Sequence, residues 1–525
     1  MKVNYTISSI YHIARADFLQ RVRSYLFLIT LGASVFTMYS FVPPISAGYK
    51  IMLLGNYRGL YNSAWIGTMV GMCAPLFALI GFYLVNYSVK RDIDTRVGQI
   101  IATTPISKVQ YLFGKMISNF AVLLVIFIVI VVMTIVMFLI RGETRHLELG
   151  KLLYPLLIFT IPSLFITAAL ALFFDSFTGL SRGVINIGYF VLWVLIMSSK
   201  NHVDVFGFFS GTTEIEHVLM AAHPDWNGGN SLCLIPSDPG FNSNIFIYDG
   251  LKWSSTVILN RIFWMSCAFC LVLVASIGFN RFDSFRIREF RSKSTGTQKN
   301  KTAWFRNFGV TFLERFPGIS VVGGRFSHLV LVQAELRLML KGNSIWWLIV
   351  SIGLFIASIF APMDFAYKIA LPLLWFFQVL IISKLGFREA THRCREYIFS
   401  AAFPLMRQLP ATLSAAVLLM IILAFPVTLR LLLTGNLYSV YAIIVGALFI
   451  PSFAITSGIL TGGSKLFEVI FAIMMYGFLN KVPFFDFIGA IGGSHELGIP
   501  HYLLIITFVL VILAFEGRKR QILHT

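Results

Sequence analysis

The chain has 525 residues, of which 57% are hydrophobic and 12% are charged, and its net charge is +19. Soluble proteins carry roughly 25% charged residues, so the composition excludes an ordinary soluble protein. A basic excess can indicate nucleic-acid binding, but in a membrane protein Lys and Arg collect on cytoplasmic loops beside anionic lipid. We therefore expect membrane lipid, and not nucleic acid, as a partner.

Twelve apolar segments approach the length of about 20 residues that a membrane-spanning helix needs. Six lie in the first half of the chain, at 25–42, 64–87, 116–140, 153–174, 183–198 and 257–279. Six lie in the second, at 344–361, 366–382, 411–433, 438–460, 466–478 and 502–515. The segments 183–198 and 466–478 are short, which leaves tilted or re-entrant helices open. The sequence therefore predicts an all-α integral membrane protein with two tandem six-helix transmembrane halves.

Between the halves, the stretch 292–303 is polar and basic and has no apolar periodicity, as in a flexible linker. We divide the chain into a first transmembrane half (1–280), a basic cytoplasmic linker (281–325) and a second transmembrane half (326–525). Lys and Arg concentrate near both termini, between the second and third spans and in the linker, whereas the loop 200–255 is acidic. The positive-inside rule then predicts two cytoplasmic termini, and we expect a multi-pass protein of a bacterial cytoplasmic membrane.

Each half opens with a short amphipathic helix before its first span. The apolar faces are formed by Ile7, Ile10, Ala14 and Phe18, and by Leu329, Val332, Leu336, Met339 and Leu340. Both helices carry an acid directly after an alanine, Asp17 in the first and Glu335 in the second. We expect both helices to lie in the membrane interface, because a basic amphipathic helix buries its apolar face there.

The loop after the second span has the same layout in both halves, at 90–115 and 384–410. A charged lead is followed by an apolar stripe at helical spacing and then by a proline, Pro105 or Pro404. The stripes are Val97, Ile100, Ile101 and Thr104 in the first loop, and Cys394, Tyr397, Ile398 and Ala401 in the second. Short helices with such a face need an apolar partner, either another protein or the bilayer surface. These loops are therefore candidate docking elements.

The first loop also has an ordered series of polar and aromatic residues. In chain order they are Asp92, Asp94, Thr104-Pro105-Ile106-Ser107 and Tyr111-Leu112-Phe113-Gly114-Lys115. This series resembles the cytoplasmic loop of type-2 ATP-binding-cassette exporter permeases. Two departures are clear: Arg96-Val97-Gly98-Gln99 stands where that family often has Gly-Thr-x-Glu, and the second loop keeps only Arg388-Glu389 and Pro404.

The resemblance implies a permease subunit that exports an unidentified substrate, and apolar spans would suit an amphiphile. It implies a separate pair of ATP-binding-cassette ATPase subunits, two copies or a heterodimer, that bind ATP and Mg. This chain is then not an enzyme and needs no cofactor or metal, and its segment 458–465 lacks the residue order of a phosphate loop. The implied ATPase-coupling residues are Asp94, Val97, Gln99, Ile100, Ile101, Thr104, Pro105, Arg395, Tyr397, Ile398 and Pro404.

Other functions stay open. A major-facilitator secondary transporter also has twelve spans and a basic central linker, but such carriers need ionisable groups at mid-membrane. Here Glu468 and Arg430 lie near predicted helix ends, where their side chains can reach the interface. A non-transporting assembly or sensor protein built like an exporter permease is a further alternative. The acids and histidines between Glu214 and His223 lack the usual zinc spacing, which disfavours an enzyme.

The predicted topology can be tested with two single cysteines. A membrane-impermeant thiol reagent added outside the cell should label Asn227→Cys and leave Thr297→Cys unlabelled, because the first lies in the acidic loop and the second in the basic linker. The opposite labelling pattern would contradict this orientation.

Overall fold

The computed structural model describes residues 2–45, 47, 49–144, 146–177, 182–198, 204–224, 226, 230–236, 244–250, 254–279, 327–341 and 345–523. The chain divides into two compact units, Met1–Lys293 (unit 1) and Ser294–Thr525 (unit 2). The predicted linker, 281–325, and the positions Asn227 and Thr297 lie outside the described residues.

Unit 1 is mostly helical. Its helices are α1 (Lys2–Val22), α2 (Tyr25–Phe41), α3 (Ser63–Gly71), α4 (Ala74–Val85), α5 (Ser88–Asp94), α6 (Val97–Ala102), α7 (Lys108–Arg141), α8 (Leu149–Ser176), α9 (Arg182–Ser198), α10 (Phe208–Ala222) and α11 (Ser255–Gly278). Helix α7 has 34 residues, or about 50 Å at 1.5 Å per residue. It begins with a capping box between Ser107 and Gln110, eight residues before the predicted start of the third span.

Unit 1 also contains a four-stranded β-sheet that the sequence analysis did not predict. The strands are β1 (Tyr49–Leu54), β2 (Tyr57–Gly59), β3 (Asn230–Pro236) and β4 (Asn244–Phe246), in the order β3-β1-β2-β4. Strands β2 and β4 are parallel, and the other pairs are antiparallel. The sheet joins the segment after α2 to the segment after α10, so the pattern of one segment alone could not reveal it.

The sheet lies at the carboxyl end of α7. Arg58 of β2 donates to both carboxylate oxygens of Glu143, just past α7, at 2.7 and 2.9 Å. These hydrogen bonds lower the pKa of Glu143 below its usual range. The ring of Trp65, at the start of α3, packs against Phe246 and Tyr248. The α5–α6 loop precedes the amino end of α7, so loop and sheet lie at opposite ends of this helix.

Unit 2 is helical in its described part. Its helices are α12 (His328–Leu340), α13 (Ile345–Phe360), α14 (Met363–Ile382), α15 (Arg388–Thr391), α16 (Arg395–Phe399), α17 (Pro404–Leu433), α18 (Leu437–Thr461), α19 (Lys465–Leu479) and α20 (Ile499–Leu523). Pro404 is the first residue of α17, where its missing N–H costs no helical hydrogen bond. Helix α17 therefore begins seven residues before the predicted span.

Two charged residues of unit 2, Arg430 and Glu468, lie near helix ends, as predicted. Arg430 donates to the carbonyl oxygens of Ser358 and Ala361 and so closes the carboxyl end of α13. Glu468 is buried in the first turn of α19. Each side chain has polar partners within its own unit.

Each of the twelve predicted segments overlaps a helix. In the described part of the chain, seven helices are long and apolar enough to cross a membrane, and nine spans result if each of two bent helix pairs counts as one. Shorter apolar helices occupy Val184–Ser198 and Trp347–Phe360. The structure is thus that of a mostly helical protein with several candidate membrane-spanning helices, and the count of twelve is not confirmed.

Candidate functional site

The first candidate docking loop, predicted at 90–115, is formed in the structure by helices α5 and α6 and the connection to α7 (88–107), and this segment is called the first docking loop below. Arg96, which precedes α6, has a left-handed backbone with φ of 62°, a conformation that is uncommon for residues other than glycine. This residue turns the chain between two helices that are each too short to be stable alone. The loop must therefore be held by contacts with other elements.

Asp17 of α1 is the centre of a buried ion-pair cluster that holds this loop. Its carboxylate accepts hydrogen bonds from Lys115 Nζ at 2.8 Å and from Ser118 Oγ at 2.7 Å. It also forms ion pairs with Arg21, at 2.9 Å, and with Arg91 of α5. Asp17 and Lys115 are each only 4% exposed. Removing one partner from such a pair leaves an unpaired buried charge, so the cluster connects α1, α5 and α7 strongly.

Two further carboxylates fasten α5. Asp92 accepts a hydrogen bond from the Tyr111 hydroxyl at 2.7 Å and forms an ion pair with Lys115 at the same distance. Asp175, near the end of α8, accepts a hydrogen bond from the backbone N–H of Val89 at 2.6 Å. The Val89 N–H lies in the first turn of α5, where backbone N–H groups have no hydrogen-bond acceptor within the helix. The first docking loop is therefore attached to α1, α7 and α8.

The second candidate docking loop, predicted at 384–410, is formed by α15, α16 and the connection to α17 (388–403), and this segment is called the second docking loop below. Arg388 pairs with Glu335 of α12. Glu389 is buried and accepts hydrogen bonds from Gln408 of α17, at 2.7 Å, and from Arg518 of α20, at 3.3 Å. Just before the loop, Gly386 lies so close to α18 that an added Cβ would meet the carbonyl oxygen of Ile455 at 2.3 Å. This loop is therefore attached to α12, α17, α18 and α20.

The two loops share an arrangement that sequence comparison did not show. In each unit, an acid of the first amphipathic helix pairs with an arginine of the loop: Asp17 with Arg91, and Glu335 with Arg388. The residue directly after this arginine is a buried acid, Asp92 or Glu389. In each, this second acid bonds a side chain nineteen residues later, Tyr111 or Gln408. The same backbone turn recurs as well, since Arg393 has a φ of 53° at the position that corresponds to Arg96. The halves thus repeat in structure as well as in predicted order.

The predicted coupling residues lie largely on the outside of these loops. Ile100 is 68% exposed and Tyr397 is 85% exposed. Asp94, Val97, Gln99 and Pro105 are also exposed, whereas Ile101, Thr104, Arg395, Ile398 and Pro404 are half-buried. Helix α6 ends at Ala102, three residues before Pro105, so the proline lies in the connection to α7 and not at a helix end.

Sequence reasoning missed the residues that hold the loops. Asp17 and Glu335 were visible only as a matching Ala-acid pair. Their partners lie 74 and 53 residues further along the chain, beyond the reach of helical periodicity. It also missed two large exposed side chains, Phe403 at the end of the second loop and Met406 in the first turn of α17.

The α1 and α12 helices bury polar residues that their apolar stripes did not indicate. Ala14, Asp17 and Arg21 are buried, whereas Ile7 is exposed. In α12, Glu335 is buried between Val332 and Met339. Both helices therefore pack polar as well as apolar side chains against their own unit. Part of each predicted apolar face, including Ile7 and Leu329, stays exposed.

Among the residues that the structure describes, no group of three or more His, Cys, Asp and Glu side chains could hold a metal ion. No protein-family model, no curated protein and no solved structure matches this chain.

Replacing Lys115 with Met should destabilise the protein by about 3–5 kcal/mol, because it leaves Asp17 and Asp92 buried without their shared cation. The measurement is the denaturation midpoint of the purified chain in detergent. The matched control is Arg520→Met in the exposed Arg520–Glu516 pair, which should cost at most about 1 kcal/mol. Equal effects of the two substitutions would contradict a structural role for the cluster.

Proposed function

We propose that the chain is the membrane-spanning permease subunit of an ATP-binding-cassette exporter and works with separate ATPase subunits. One observation carries the proposal: both units hold a short helix with a strongly exposed apolar side chain, Ile100 of α6 or Tyr397 of α16, on a loop that buried ion pairs fasten to the unit. Exposed apolar side chains on a firmly held element are typical of an interaction surface. A helix that merely covered its own unit would have its apolar face buried.

The attachments of the loops suit the transfer of force. A displacement of α5 and α6 would act on α1 through Asp17, on α7 through Asp92 and on α8 through Asp175. Because these contacts are buried and charged, the loop cannot move alone without leaving charges unpaired. A partner that pushes the loop would therefore tilt several helices together. This is the behaviour that a separate motor subunit requires of the element it contacts.

The finer features of the proposal follow from the sequence. The chain has twelve spans in two halves, both termini are cytoplasmic, and the membrane is a bacterial cytoplasmic membrane. The ATPase partners, as two copies or a heterodimer, bind ATP and Mg. The substrate is an amphiphile that crosses the apolar spans.

The docking surface can be tested with substitutions at its most exposed apolar residues. Ile100→Asp and Tyr397→Asp should each weaken ATPase binding about tenfold or more, because a charge would be buried in an apolar contact. The measurement is co-purification and titration of the proposed ATPase subunits with the detergent-solubilised permease. Both side chains are exposed, so the permease itself should remain folded.

Leu149→Asp is the matched control. Leu149 is also exposed and begins α8, near the end of the unit that carries the sheet. This substitution makes the same chemical change without touching a docking loop, and it should leave ATPase binding unchanged. Unchanged binding in Ile100→Asp and Tyr397→Asp would remove the loops as docking sites.

Energy coupling separates the exporter from a secondary transporter. In proteoliposomes that contain the chain and its ATPase, export should require ATP hydrolysis and continue after ionophores collapse the ion gradients. Pro105→Ala should reduce export more than ATP hydrolysis, because Pro105 stiffens the connection between α6 and α7. Substrate movement by the chain alone, driven by a proton gradient, would instead support the major-facilitator alternative.

A further inference from the structure

A second structural repeat lies at the carboxyl ends of α7 and α17. Helix α7 ends at Arg141, and Arg430 lies in the last turn of α17. Each helix begins directly after a docking loop, so both arginines lie at the end that points away from this loop. Both helices are candidate membrane spans of 30 residues or more. Because such a helix is longer than the hydrocarbon core of about 30 Å, its last turn reaches the headgroup region.

Both arginines close the end of the first apolar helix of their unit, α2 or α13. In each case Nη1 donates to two carbonyl oxygens, those of Tyr39 and Val42 for Arg141 and those of Ser358 and Ala361 for Arg430. The two acceptors lie two residues before the last helical residue and one residue after it, in both units alike. The last carbonyl oxygens of a helix have no donor within it. These hydrogen bonds therefore fix the orientation of each guanidinium group.

The other edge of each guanidinium group stays available. Among the described residues, no hydrogen bond leaves from Nε or Nη2 of either arginine, and protein does not enclose these groups. The acids that follow the two helix ends in sequence are paired with other cations, Glu143 with Arg58 and Asp364 with Lys368. An arginine is always charged, and Nε and Nη2 together form a fork that matches two oxygens of a phosphate. Each site is therefore preorganised for an anion.

Apolar side chains flank both arginines on the surface of their unit. Ile140 and Leu433 lie in the same helical turns as the arginines and are 69% and 80% exposed. On the adjoining helices, Phe36 of α2 and Phe360 of α13 are exposed as well. Exposed apolar side chains on helices that can cross a membrane suit lipid chains. A cation with free donors beside such a surface matches a phospholipid, in which a phosphate group and acyl chains adjoin.

We propose that Arg141 and Arg430 each bind the phosphate group of an anionic phospholipid in the leaflet opposite to the docking loops. Nη1 keeps the helix end closed, while Nε and Nη2 donate to two phosphate oxygens and the acyl chains lie along the exposed apolar side chains. With cytoplasmic termini, this is the outer leaflet. The inference goes beyond the proposed function and depends on neither an ATPase nor a transported substrate.

Lipid binding can be measured with a fluorescent label beside each arginine. The five native cysteines are replaced with Ser, and a bimane label is attached to Ile140→Cys or to Leu433→Cys. The chain is reconstituted in phosphatidylcholine nanodiscs with increasing amounts of a lipid that carries a nitroxide on one acyl chain and quenches a nearby label. Phosphatidylglycerol with this nitroxide should reach half-maximal quenching at about a fivefold lower mole fraction than phosphatidylcholine with it, because only the first lipid has a net negative charge.

The two units serve as matched controls for each other. Arg141→Gln should abolish the preference for phosphatidylglycerol at the Ile140→Cys label and leave it unchanged at the Leu433→Cys label. Arg430→Gln should give the opposite result. A general change in the charge of the protein would instead affect both labels.

Arg141→Lys and Arg430→Lys keep the test decisive if a Gln variant fails to fold. Lysine retains a cation that can donate to the carbonyl oxygens of the helix end, but it lacks the planar fork. The preference at the neighbouring label should therefore fall to a value between those of Arg and Gln.

Equal quenching by the two lipids with both arginines present would overturn the proposal. So would a preference that is unchanged in the folded Gln and Lys variants, since the arginines would then only close their helices. Inorganic phosphate added to the nanodiscs should leave the quenching unchanged. If it removed the preference, the sites would bind free phosphate, and the assignment to a lipid would be wrong.

Discussion

The buried carboxylate of Asp17 organises the end of unit 1 that carries helices α5 and α6. One side chain of α1 collects a lysine and a serine from α7, an arginine from α5 and an arginine from its own helix. A buried charge is costly unless it is paired, so the positions of these three helices depend on one another. The loop that carries α6 is placed by this requirement, and its apolar side chains are left outside as a consequence.

Unit 2 meets the same requirement with other residues. Glu335 and Arg388 repeat the pair formed by Asp17 and Arg91, and Glu389 repeats Asp92. The surroundings of the two loops differ. In unit 2, Arg518 of α20 is the cation that pairs with Glu389. The close contact of Gly386 with α18 takes the place of the hydrogen bond by which Asp175 holds α5 in unit 1. The geometry of the repeat is therefore retained while its chemistry varies, which explains why the two loops share so few residues.

The two ends of each unit show one physical rule. At the docking loops, short helices are held because carboxylates from neighbouring helices pair with their charges and their backbone N–H groups. In the turns that begin at Asp204, after α9, and at Asp486, after α19, a carboxylate again supplies the acceptors that regular secondary structure would otherwise provide. Irregular backbone is thus kept inside a helical protein by side chains that complete its hydrogen bonds. In each unit, a loop held by buried ion pairs lies at one end and a turn held by a carboxylate lies away from it.

The sequence by itself determined the membrane character, the positions of the apolar helices and the loops with exposed stripes. These properties are local: hydropathy and periodicity are read within a single segment, and Ile100 and Tyr397 were recognised that way. The tertiary structure alone decided which charges meet, that strands far apart in sequence form a sheet, and that the turns after α9 and α19 enter their bundles. Asp17 and Lys115 are 98 residues apart, and Glu389 and Arg518 are 129 residues apart. Such pairs depend on how segments pack, and no pattern within one segment records them.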